Sequence, residues 1–159
     1  MEFEPNTTLP PPTDELIRWF EDEYRVKLPD DYLAALKAGN GAIPVRKVFR
    51  NGRVLERMLC LIPYPENDDV YGWYDLTAVI SQLDTRLTND ENLIGMNIIP
   101  FGALFAGDFV CLDFRHNTRS PHIAAWDHER SEPFKPSLEK IASSFTEFDN
   151  LLSVLPHYK

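Results

Sequence analysis

The chain has 159 residues, 43% of them hydrophobic, which is enough for one substantial core and is the usual size of a single domain. Its 16 Lys and Arg against 25 Asp and Glu give a formal charge of -9, which disfavours direct binding to nucleic acid or anionic membranes and favours a basic partner. The first residues lack the basic start and apolar run of a signal peptide, and no window is apolar for long enough to span a bilayer, so the expected location is the cytoplasm.

Residues 1–12 end in Pro10-Pro11-Pro12, which favours an extended conformation. This arm is expected to lie outside the core, with one domain over residues 13–159. Thr13 suits a helix N-cap, and Leu16, Ile17, Phe20 and Tyr24 recur on one helical face. Pro29 with Asp30 and Asp31 starts a second, short helix bearing Tyr32, Leu33 and Leu36. Gly39 can end it in a left-handed conformation, and Asn40-Gly41 can turn the chain back. Residues 45–49 and 54–62 flank Asn51-Gly52, the signature of an antiparallel hairpin. Pro63, Pro65 and the acids Glu66, Asp68 and Asp69 then make a loop. Asp75 suits the cap of a third helix, on which Leu76, Val79, Ile80, Leu83 and Leu87 repeat at helical spacing. Segments 98–102, 109–115 and 122–128 read as strands, and 137–142 as an edge strand. Ser144 and Glu147 open a final helix with Phe145, Phe148, Leu152 and Leu155. Strands bracketed by helices, without strict alternation, predict an α+β domain: a largely antiparallel sheet with helices packed at both ends of the chain.

Three blocks carry a family resemblance: Leu28-Pro29-Asp30-Asp31-Tyr32 through Gly41, Ile99-Pro100-Phe101-Gly102 leading through Gly107-Asp108 into a strand, and Ser144-Phe145-Thr146-Glu147-Phe148. In this order and spacing the chain resembles the SUKH superfamily, which includes regulators of cell-wall synthesis and many bacterial immunity proteins. It departs from the family pattern before Asp108, where a glycine-rich polar turn is replaced by Ala103-Leu104-Phe105-Ala106-Gly107.

The residues offer little for catalysis. His116, His122, Asp127, His128 and Glu129 cluster in sequence, but on a regular strand His122 and His128 lie roughly 20 Å apart at about 3.3 Å per residue. A hairpin centred near Arg119 sets His116 opposite His122, yet strict alternation then turns Asp113 and Asp127 to the other face. No metal is therefore expected, and no cofactor. Cys60 and Cys111 sit in apolar, strand-like sequence and read as reduced core residues. There is no Gly-x-Ser-x-Gly elbow, and Gly39-Asn40-Gly41 follows a helix and lacks the lysine of a phosphate loop. The pair Asp30-Asp31 is accounted for by a helix start, and Asp108 by a turn entering a strand.

Candidate contact residues are Glu66, Asp68 and Asp69, acids without a strong local role, with Tyr71, Trp73 and Tyr74 directly after them. Phe105, beside Asp108 at the tip of a turn, is a second possible anchor. The expected function is that of a noncatalytic binding protein. The resemblance implies an immunity protein that neutralises a cognate toxin by direct binding, and the toxins handled by that superfamily include many nucleases with basic surfaces. The alternative is a regulatory scaffold for an endogenous protein, as among the cell-wall regulators. An acid–base or metal-dependent enzyme is the third reading.

Overall fold

The computed structural model describes residues 1–156, so the end of the domain expected at 159 lies outside the described residues. Helix α1 (Asp14–Tyr24) starts at Thr13, whose hydroxyl accepts from Leu16 N, and it buries Ile17 and Phe20. Helix α2 (Asp30–Ala38) follows Pro29 and buries Tyr32, Ala35 and Leu36. Six strands then form one antiparallel sheet in chain order: β1 (Val48–Phe49), β2 (Arg53–Met58), β3 (Ile98–Leu104), β4 (Phe109–Asp113), β5 (His122–Trp126) and β6 (Leu138–Ala142). Helix α3 (Leu76–Leu83) lies between β2 and β3, and α4 (Phe145–Leu151) follows β6. This is an α+β single-domain fold.

The sheet is curled rather than flat. Arg50, in the turn after β1, donates to the Lys140 carbonyl of β6 at 3.0 Å and to Glu139 at 3.2 Å, and Arg53 lies 3.6 Å from the same carboxylate. An otherwise open strand edge is thus partly occupied by side chains from the opposite end of the sheet, which blunts it against pairing with another chain. Pro100 stands in a central strand without loss because the register shifts between Pro100 and Gly102, and a bulge needs no donor there. At Gly102 a Cβ would meet Leu55 Cδ1 at 2.5 Å and Val110 Cγ1 at 2.8 Å, so only glycine lets the neighbouring strands' side chains close over β3.

The three sequence blocks of the family resemblance meet in the core. Tyr32 of α2 packs against Phe101 of β3 at 5.5 Å between ring centroids and against Phe145 of α4 at 5.7 Å. Phe101 also touches Phe148 at 5.8 Å, and Phe148 meets Phe49 of β1 edge-on at 5.5 Å. Offset and edge contacts of this kind add to the apolar area that the rings bury. Above this cluster, Asp31 accepts from both the backbone N–H and the hydroxyl of Thr146, at 2.9 and 2.8 Å. One carboxylate at the start of α2 thereby satisfies a free donor in the first turn of α4.

Two local expectations are corrected. The arm over residues 1–12 turns at Pro5-Asn6, where Asn6 has φ 63, and does not lie outside the core: Phe3 and Leu9 form β-bridges to Pro44 and Asn40, Phe3 packs on the core, and the terminal ammonium lies 3.1 Å from Asp149. Asn40, wholly buried, is the reason, since its amide donates to the Pro10 and Leu61 carbonyls at 2.9 and 3.1 Å while its oxygen accepts from Leu61 N at 2.8 Å. Gly39 is not left-handed (φ -142); Gly41 is (φ 70), and at Gly39 a Cβ would sit 2.3 Å from the Phe3 ring. Glycine is needed there to admit the arm.

Candidate functional site

The acidic segment between β2 and α3 is clamped at its base. Asp75 is fully buried: one carboxylate oxygen caps α3, accepting from Thr77 N at 2.8 Å and Ala78 N at 3.2 Å, while the other accepts from Ile62 N at 3.0 Å. Cys60 N donates to the Tyr74 carbonyl and Leu76 N to the Cys60 carbonyl, each at 2.8 Å. Both ends of residues 62–75 are therefore fixed to the same point of the core.

Inside the loop Asp68 is an organiser rather than a free acid. Its carboxylate accepts from Val70 N at 3.0 Å and Tyr71 N at 2.7 Å, closing an Asx turn. Gly72 lies so near the Pro65 carbonyl that a Cβ would be 2.2 Å from its oxygen. The result is a closed loop whose large side chains cannot all turn inward. Tyr71 and Tyr74 do: both are half-buried and flank the Arg57 guanidinium, which lies 5.6 and 4.5 Å from their ring centroids and donates to the Gly41 carbonyl at 2.7 Å. Trp73, Tyr64 and Val70 point out, with 70%, 68% and 65% of their surface exposed.

Two clefts, of about 440 and 530 Å³, share Pro65, Glu66 and Thr77 as a common wall. Glu66, Asp68, Asp69 and Trp73 line the first; Glu15, Trp19 and Tyr64 line the second. Among the described residues, no Lys, Arg or His lines either one. The face therefore joins exposed aromatic surface to uncompensated negative charge.

The expected contact residues thus divide. Glu66, Asp68, Asp69 and Trp73 come together, and Tyr71 and Tyr74 support them from beneath. Phe105 and Asp108 line a different hollow, beside Asn51, Gly52 and Glu56. Phe105 is exposed there, whereas Asp108 is engaged internally, accepting from His128 N at 2.9 Å, lying 2.7 Å from its Nδ1, and facing Arg53 at 3.7 Å. Trp19, Tyr64 and Glu15 line the same face, and sequence reasoning did not single them out. A signal existed for two of them: Trp19 falls off the Leu16, Ile17, Phe20 and Tyr24 stripe, and Tyr64 is held between two prolines that keep it out of the sheet.

The histidine geometry also differs from expectation. The loop between β4 and β5 is long, so Asp113 pairs directly with His122 on one face, with Oδ2 and Nε2 3.1 Å apart. His116, in that loop, stacks on His122 with centroids 5.3 Å apart. Alternation does not separate these groups, because the turn is not the tight one assumed. Burial pulls the Asp113 carboxyl upward, but hydrogen bonds and charge from Arg115 outweigh it and leave it below the ordinary value. Burial lowers His122, against the pull of Asp113. Cys60 and Cys111 are free and buried. Burial lifts the Cys60 thiol to about 12 and raises Cys111 as well, so neither carries the thiolate that nucleophilic chemistry requires at neutral pH.

The model of the SMI1 / KNR4 family (SUKH-1) matches residues 11–150, which takes in all three blocks that converge on the aromatic cluster. The chain belongs to this family. No match is found among curated proteins. SUKH membership fits a binding or immunity role at the level of the family. No helix among the described residues is long and apolar enough to cross a membrane.

Proposed function

We propose that this protein is a noncatalytic immunity protein that neutralises a cognate toxin in the cytoplasm by covering it with the face built from Trp19, Tyr64, Trp73, Glu66 and Asp69. The observation that carries this reading is the pairing of exposed aromatic anchors with two clefts that hold carboxylates and, among the described residues, no basic side chain. Aromatic residues supply large contact area at small entropic cost and slow release, while complementary charge speeds encounter with a basic surface. A nuclease toxin, whose own substrate is polyanionic, presents such a surface. The buried cysteines, with their raised thiols, further support a binding role over nucleophilic catalysis.

The test is capture from the native cells with the full chain as bait, at low and moderate salt, followed by addition of the chain to each recovered protein's activity. Recovery of a basic toxin whose activity falls on stoichiometric addition supports the reading. Recovery only of cell-envelope or housekeeping proteins replaces it with the regulatory scaffold that the same family membership accommodates.

A further inference from the structure

We propose that Asp113, His116 and His122 form a three-ligand site for a divalent transition-metal ion of the zinc type, at the open end of the β4–β5 hairpin. The register places Asp113 opposite His122, and one donor atom from each of the three residues lies within 4.8 Å of the others. The Asp113 Oδ2 to His122 Nε2 distance of 3.1 Å is close to the edge of a tetrahedron with metal bonds of about 2.0–2.1 Å, roughly 3.3 Å. Two imidazoles and one carboxylate are a donor set suited to zinc, iron, cobalt or nickel, and they leave positions open for water.

The surroundings divide the carboxylate into two roles. Oδ1 accepts from the Arg115 backbone N–H and from its Nε, each at 3.0 Å, which orients the group as an outer-shell partner does. Oδ2 faces His122 and has one further donor, Arg115 Nη2 at 2.9 Å, which an ion displaces from that oxygen. His116 is exposed and sits in the loop over residues 114–121, so its ring, now stacked on His122, is free to tilt until its nitrogen converges on the same point. Binding would tie that loop to the first residue of β5. The other cluster of similar composition, Asp108, Asp127 and His128, offers one imidazole rather than two. Asp108 Oδ1 holds the His128 backbone and ring, Arg53 faces Oδ2, and Asp127 Oδ1 accepts from Glu129 N and Arg130 N.

The experiment is calorimetric titration of the chelator-stripped full chain with zinc chloride, with thermal midpoints measured alongside and a cobalt titration read in the visible. The expected result is saturable one-to-one binding that raises the midpoint, together with cobalt bands of low coordination number. His116→Ala, a change at an exposed residue that leaves the fold intact by circular dichroism, weakens binding by more than about tenfold, and His122→Ala does the same. His128→Ala leaves it unchanged. Absence of saturable zinc binding to the wild type overturns the proposal, as does binding that survives His116→Ala or disappears with His128→Ala.

Discussion

Replacing Asn40 with alanine should be among the most damaging single changes in this protein, although the residue touches no proposed partner. Its side chain makes three hydrogen bonds in a site with no access to water: two donated to the Pro10 and Leu61 carbonyls and one accepted from Leu61 N. In Asn40→Ala the Pro10 carbonyl can turn to solvent, since Pro10 is exposed, but both backbone groups of the buried Leu61 lose their partner. Each orphaned buried group costs about 1–3 kcal/mol, so the loss should be about 2–6 kcal/mol. The thermal midpoint of a domain this size should then fall by about 4 °C or more. Asn40→Asp should cost more still at neutral pH, because it sets a carboxylate oxygen against two carbonyls. Urea denaturation of both variants and the wild type, compared at equal slope, measures this. A loss below about 1 kcal/mol for Asn40→Ala would show that the arm and the Leu61 strand are not held by this amide.

Three further outcomes are expected. Asp31→Ala removes the bridge to Thr146 and should cost about 1–2 kcal/mol by urea denaturation, while Asp31→Asn, which keeps an acceptor, should recover most of it. The Tyr32 hydroxyl is buried with no hydrogen-bond partner among the described residues, so Tyr32→Phe should be neutral or stabilising by up to about 1 kcal/mol; a clear loss would reveal a partner for it. Burial holds His122 below its ordinary 6.5, so between that value and its folded value the unfolded chain binds the extra proton. Its contribution to stability is complete above 6.5 and is lost as pH falls through the folded value. Urea midpoints from about pH 7.5 to 5 should fall less steeply for His122→Gln than for the wild type, and parallel curves would refute the assignment.

What was legible in the sequence is what local chemistry decides. Asp75 and Ser144 cap α3 and α4 because a short polar side chain beside bare helix N–H groups has few other uses, and Ser144 accepts from Glu147 N as the spacing implied. Asn51 and Gly52 turn the first hairpin with φ of 60 and 74, though in a three-residue turn rather than a two-residue one. What could not be read depends on partners distant in the chain. The β4–β5 register follows from how long a loop the sheet tolerates, so Asp113 was placed on the wrong face. Asn40 reads as a turn residue, and only the approach of Pro10 and Leu61 makes it a buried bracket. Trp19 and Tyr64 become part of one surface with Trp73 only when α1 and the loop after β2 are folded side by side, a juxtaposition that no local pattern encodes.

The central claim is that the aromatic and acidic face around Pro65 engages a basic protein partner. It is tested most directly by stopped-flow association of the captured partner with wild type, with Glu66→Lys/Asp69→Lys, and with Trp19→Ala/Trp73→Ala, across a range of salt. Asp68 is left intact so that the loop keeps its turn. The account predicts a slower, less salt-sensitive association for the charge variant, faster dissociation for the aromatic variant, and unchanged thermal midpoints for both. Association and dissociation rates equal to wild type in both variants would place the interface elsewhere on the molecule and contradict it.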